Sequence, residues 1–295
     1  MNAVTTVNIV NVVTALLRRQ HARIAFASEV YRVFLKVDNK KVYAYTANHP
    51  FDAAKPTVAF IHGAAHDHSV WTLQSRYFAY HGWNALAVDL PGHGKSESKA
   101  LDRIGDIADW VARVLDAAGA STASLVGHSM GSLVALETAA RHPARVAKLA
   151  LVGSAVPMPV SEPLLNASKA NDHVAYEMIN VFSHSNAAQI GGNRVPGIWM
   201  MGSAMRLMER SGAGVLHADF SACNAYGNGL EAAAQVKCPA LLILGKRDQM
   251  APMKAAQALA TKIPNVCTVA LQGAGHALMT EKPDDVLDNL IAFLA

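Results

Sequence analysis

Short runs of apolar, β-favouring residues alternate along the chain with longer stretches whose apolar positions recur every three to four residues. The strand-like runs cover residues 57–62, 85–89, 124–126, 148–152, 240–244 and 266–271, and the helical ones 70–80, 104–118, 130–141, 254–261 and 284–293. These strands are apolar at nearly every position, which suits burial on both faces in a parallel sheet with helices on either side. Pro252 and Pro283 fall near the starts of the last two helices, where proline is tolerated. Ahead of the alternation, residues 31–37 and 41–46 read as two strands joined by the turn-forming Asp38-Asn39-Lys40, which predicts a hairpin.

Between residues 155 and 236 the rhythm fails. Glycines punctuate helical patches there, and six of the eleven methionines gather in this stretch. The alternation then resumes at Ala240 as if uninterrupted. The expected fold class is therefore α/β, a mostly parallel sheet flanked by helices. Residues 29–154 and 237–295 form the core, 155–236 an inserted, largely helical cap, and 1–28 an N-terminal helical extension.

A chain of 295 residues can fold as one large domain with a sizeable insertion. Its 52% hydrophobic and 16% charged residues mark it as globular. The net charge of +4 is spread out, with no basic run to track phosphates, so nucleic acid is not an expected partner. Arg18 and Arg19 read as a solvated helix end. Thr5, Thr6, Asn8 and Asn11 interrupt the apolar N-terminal stretch, and basic residues follow it rather than precede it. Neither a signal peptide nor stable membrane insertion is expected. Cys223, Cys238 and Cys267 form no disulfide framework or CxxC pair, which points to reduced thiols and a cytoplasmic location. The pattern does not speak to oligomeric state.

The chemistry concentrates at Gly127-His128-Ser129-Met130-Gly131, a G-x-S-x-G segment between a strand and a helix. A turn this sharp strains the serine backbone and requires small residues two positions either side, which Gly127 and Gly131 supply. It presents Ser129 Oγ at a helix N-terminus, where backbone N–H groups favour developing negative charge. Two strands later, Leu242-Ile243-Leu244-Gly245-Lys246-Arg247 runs into Asp248, and Val269 to Gly275 leads through a loop to His276. The order serine, aspartate, histidine distinguishes His276 among thirteen histidines. His62, His66, Asp67 and His68 suggest a zinc motif, but the spacing fails because Ala64 stands where a ligand is needed. No metal or cofactor is expected. His62 reads as structural, His66 and His68 as lining a site entrance, and Trp71 as core.

These segments, with Phe60-Ile61-His62-Gly63-Ala64 and Asp89-Leu90-Pro91-Gly92-His93-Gly94-Lys95-Ser96, resemble the α/β-hydrolase family from about Glu29 to the C-terminus. The resemblance implies a catalytic triad of Ser129, Asp248 and His276, and an oxyanion hole made by the backbone N–H groups of Ala64 and Met130. It implies a serine esterase acting through an acyl-enzyme. The cap's Met158, Met178, Met200, Met201, Met205 and Met208 favour a small, largely apolar substrate. Two alternatives keep the same residues: a carbon–carbon bond hydrolase of the meta-cleavage type, which an active-site arginine for a substrate carboxylate would favour although the pattern does not place Arg194, Arg206 or Arg210 there, and a ligand receptor that retains the triad.

Overall fold

The computed structural model describes residues 33–192 and 197–295. The expected N-terminal helix over 1–28, the first residues of the opening strand and Arg194 lie outside them.

The hairpin is formed by β1 (Val33–Val37) and β2 (Lys40–Tyr45). Its turn is two residues rather than three: Asp38 and Asn39 both take positive φ, 49° and 59°, and Lys40 already pairs with Val37. Two left-handed residues make the hairpin turn whose twist matches its strands, a conformation Asp and Asn tolerate. The sheet continues with β3 (Thr57–Ile61), β4 (Asn84–Val88), β5 (Ala123–His128), β6 (Val146–Val152), β7 (Ala240–Gly245) and β8 (Val266–Leu271). Its order is β1-β2-β4-β3-β5-β6-β7-β8, parallel from β4 onward.

The strands feed two separate cores, as their side-chain alternation requires. Ala59, Ile61, Leu125, Leu149 and Leu242 face helices α2 (Ile104–Ala117) and α3 (Met130–Arg141) on one side. Val58, Phe60, Val126, Ala150 and Leu241 face α1 (Thr72–Tyr80) and the C-terminal helix Pro283–Leu294 on the other. The expected helix over 70–80 divides into a 3₁₀ turn at His68–Trp71 and α1, with Trp71 fully buried in the second core.

Between β6 and β7 the described residues make six helices: α4 (Glu162–Lys169), α5 (Val174–Ser183), α6 (Asn186–Gln189), α7 (Met200–Met208), α8 (Val215–Ala225) and α9 (Gly229–Gln235). Leu164, Ala175, Ile179, Met208, Leu216 and Phe220 gather there into a third apolar cluster, which meets the core at Ala65. No helix among the described residues is long and apolar enough to cross a membrane.

In strand order, β3 lies beside β5, and the connection after β3 runs one way to β4 while the connection after β5 runs the other way to β6. Such a reversal opens a crevice beyond the carboxyl ends of the strands, where α/β folds bind ligands. The loops after β3 and β5 flank it.

Candidate active site

β5 runs directly into a turn whose apex is Ser129, at φ 53° and ψ −124°. A side chain at Gly127 would place its Cβ 2.1 Å from the Gly131 carbonyl, and one at Gly131 would lie 2.4 Å from the carbonyls of Ile61 and His62. The turn closes only with glycine at both positions. The Ser129 N–H donates to Val152 O at the end of β6, 3.0 Å away, which locks the strained residue to the sheet.

Asp248 lies in the loop after β7. Its Oδ1 accepts from the backbone amides of Met250 and Ala251 at 2.9 and 2.8 Å, and its Oδ2 lies 2.8 Å from His276 Nδ1. A carboxylate facing Nδ1 assigns the proton to that nitrogen. Nε2, buried and without a hydrogen-bond partner, is thereby left with a free lone pair. Ser129, His276 and Ala64 all line one cavity of about 600 Å³. Met130 begins α3, so its N–H is among the helix-end donors that no intrahelical carbonyl reaches.

The structure adds contacts that no motif shows. His128 Nε2 donates to the His276 carbonyl at 2.9 Å, tying the serine turn to the histidine loop. Burial, together with the nearby His276, holds the His128 pKa well below the usual histidine range, so this neighbour is neutral. His66, also on the cavity wall, is pushed down to about 4 chiefly by burial. Gly153 after β6 takes φ 57°, and a Cβ there would stand 3.3 Å from His276 Nδ1, so glycine leaves room for the imidazole. Glu281 accepts from the Gly275 amide at 3.0 Å, and the amides of His276 and Ala277 donate to Ser183 O at 2.8 and 2.9 Å.

Other expectations sort out by position. His62 is fully buried, with Nδ1 on Gly63 O and Nε2 accepting from the Leu90 amide, a structural role. His66 lines the cavity, whereas His68 instead pairs with Asp89 Oδ1 at 2.7 Å. Asp67, His68 and Asp89 bring ligand-type atoms within 4.8 Å of one another. Their carboxylates already accept from Ser69, Lys95 and His68 and pair with Arg210. Of the six methionines between β6 and β7, Met200 and Met208 line the cavity, with Ile179, Leu207 and Phe220. Arg206 and Arg210 also reach its wall, each already ion-paired, Arg206 with Glu209 and Arg210 with Asp67.

Residues 56–283 match the model of the alpha/beta hydrolase fold family, and the chain belongs to that family. Its relatives include esterases and hydrolases, and its chemistry is that of a hydrolase. A pimeloyl-[acyl-carrier protein] methyl ester esterase of Aromatoleum aromaticum is 29% identical over 78% of this chain and 95% of its own. A 2-hydroxy-6-oxononadienedioate/2-hydroxy-6-oxononatrienedioate hydrolase of Paraburkholderia phymatum is likewise 29% identical, over 82% and 88%. Among solved structures, an enol-lactonase from Burkholderia xenovorans superposes with a TM-score of 0.78 at 21% identity, covering 89% of this chain and 99% of its own. A thermophilic esterase does so with a TM-score of 0.73 at 26% identity, covering 89% and 96%.

Proposed function

We propose that the protein is a serine carboxylesterase acting on a small, largely apolar ester held between the core and the 155–236 segment, which serves as a cap. The observation that carries this reading is the strained Ser129, facing the same cavity as a His276 whose Nδ1 is held by Asp248. A serine hydroxyl is a poor nucleophile until a base removes its proton. Ser129 Oγ attacks the ester carbonyl while His276 Nε2 takes its proton, and Asp248 stabilises the imidazolium that results. The oxyanion is held by the Ala64 and Met130 amides, each such donor contributing about 3 kcal/mol to the transition state. The imidazolium protonates the departing alkoxide, leaving an acyl-enzyme. Water then attacks the acyl carbon through the same base and returns Ser129 and His276 to their starting forms.

Supporting an apolar substrate are Ile179, Met200, Leu207, Met208 and Phe220 on the cavity wall. The three cysteines are free, which suits a reducing cytoplasm. The relative that acts on a dienedioate and the arginines at the wall favour a second reading, hydrolysis of a carbon–carbon bond beside a ketone. Arg206 and Arg210 are already ion-paired, so the ester reading is preferred.

Steady-state hydrolysis of p-nitrophenyl esters, with fluorophosphonate labelling, tests the proposal. Multiple turnovers are expected, with the label on Ser129 alone, and Ser129→Ala abolishes both. Label on Ser132 or Ser154 overturns the nucleophile assignment. A single turnover followed by arrest identifies a receptor, and inertness on esters with turnover of a vinylogous diketone establishes the carbon–carbon reading.

A further inference from the structure

Asp219 sits on α8 and is 1% exposed. Its Oδ2 reaches across to the core and accepts two hydrogen bonds, from the Ala65 amide at 2.9 Å and from His93 Nε2 at 3.0 Å. Ser211, just ahead of α8, donates its hydroxyl to Ala65 O at 3.1 Å, and Arg210 pairs with Asp67. Both backbone groups of Ala65 are thus bonded to the 155–236 segment. Ala65 has φ 54°, a left-handed conformation that an alanine enters only at a cost and keeps only when held. It directly follows Ala64, the amide assigned above to the oxyanion.

We propose that Asp219 is a positioning residue for the oxyanion hole, fixing the Ala65 amide and through it the direction of the Ala64 N–H. The inference rests on the serine-hydrolase reading and deepens it. The cap does more than wall the pocket, because an unseated cap leaves the donor misaimed and the tetrahedral intermediate unsupported.

The His93 contact gives this link a charge. His93 Nδ1 faces Pro91 O at 3.0 Å and Nε2 faces Asp219, both acceptors, so both ring nitrogens carry protons and an imidazolium–carboxylate pair joins core to cap. Burial pulls the His93 pKa down, but the Asp219 charge and hydrogen bond, the Pro91 carbonyl and Asp89 outweigh it and raise the value above 6.5. The other ring against His93 is His62, at 4.8 Å between centroids, which burial lowers to about 4 and leaves neutral. His66, whose charge would also act on His93, is neutral for the same reason. With a raised folded pKa, the pair's contribution is complete below 6.5 and disappears as pH rises through the His93 value.

The test uses the full chain with p-nitrophenyl acetate and, separately, a trifluoromethyl ketone, whose adduct with the serine carries the oxyanion. In Asp219→Ala, kcat falls about 10²-fold with KM nearly unchanged, the loss expected when a transition-state donor is displaced. Affinity for the ketone weakens by the same factor. Asp219→Asn, which keeps an acceptor oxygen for Ala65, restores most of kcat and lacks the alkaline fall in rate that wild-type shows as His93 deprotonates. The proposal is overturned if Asp219→Ala keeps wild-type kcat, or if it changes KM and thermal stability while ketone affinity holds. Fluorophosphonate labelling separates the two layers of the argument. An unlabelled Ser129 in wild-type ends the serine-hydrolase reading, whereas a labelled Ser129 with unchanged kcat in both variants ends only the role of Asp219.

Discussion

Ser129 and Asp248 are held by the sheet and their own loops, while His276 and the Ala64–Ala65 loop borrow hydrogen bonds from the helices between β6 and β7. The Ser129 amide is anchored on β6, and the Asp248 carboxylate on amides two and three residues along its own chain. The His276 amide donates to Ser183 on α5, and the Ala65 amide to Asp219 on α8. One half of the site is therefore built by the core alone, and the other only when the helical segment is in place. Damage to the first half should act on chemistry at full stability, and damage to the second should mix rate with cohesion.

The largest effect is expected on the sheet-held side. Asp248→Asn should fold and melt like wild-type yet lose ~10⁴ in kcat, because the neutral amide no longer fixes the imidazole tautomer. Near-normal activity would mean that another carboxylate orients His276. On the borrowed side, Glu281→Ala strips a carboxylate acceptor from the amides of Gly275 and Ser185, one in the histidine loop and one between α5 and α6. It should lower stability by roughly 1–3 kcal/mol and slow turnover as well, read by chemical denaturation beside kcat. A stability loss with full kcat would show that the histidine loop does not depend on this tie. The smallest effect concerns the pocket, since each acyl methylene buried contributes up to ~0.8 kcal/mol. Specificity constants should climb from acetyl to hexanoyl esters in wild-type and flatten in Met208→Thr, whereas Met178→Thr, away from the cavity wall, should keep the slope. A level wild-type series would refute the apolar pocket.

The sheet, and the placing of the sheet-held residues of the candidate site, could be read from the sequence for one reason: their determinants are local. Strands β3 to β7 are apolar at nearly every position, and Gly127 and Gly131 flank Ser129 at a fixed spacing that a steric argument explains. The borrowed half was legible only as chain order and resemblance. Asp219, His93, Ser183 and Glu281 act over distances in sequence that no pattern encodes; Asp219 bonds a residue 154 positions away. Nor could composition say which methionines of the helical segment reach the cavity: Met200 and Met208 do, while Met178, Met201 and Met205 were equally plausible as letters. In the hairpin turn, three polar residues in a row concealed that two suffice once Asp38 and Asn39 both turn left-handed.

The backbone of Ser129, at φ 53° and ψ −124°, has a consequence for selection as well as for chemistry. Holding a non-glycine residue in so sparsely populated a conformation costs on the order of 1–3 kcal/mol, and glycine would sit there with far less strain. Ser129→Gly is thus expected to melt at a higher temperature than wild-type and to show no turnover. A library screened for thermal endurance alone would drift toward glycine at this position, and only a simultaneous demand for turnover would hold the serine in place.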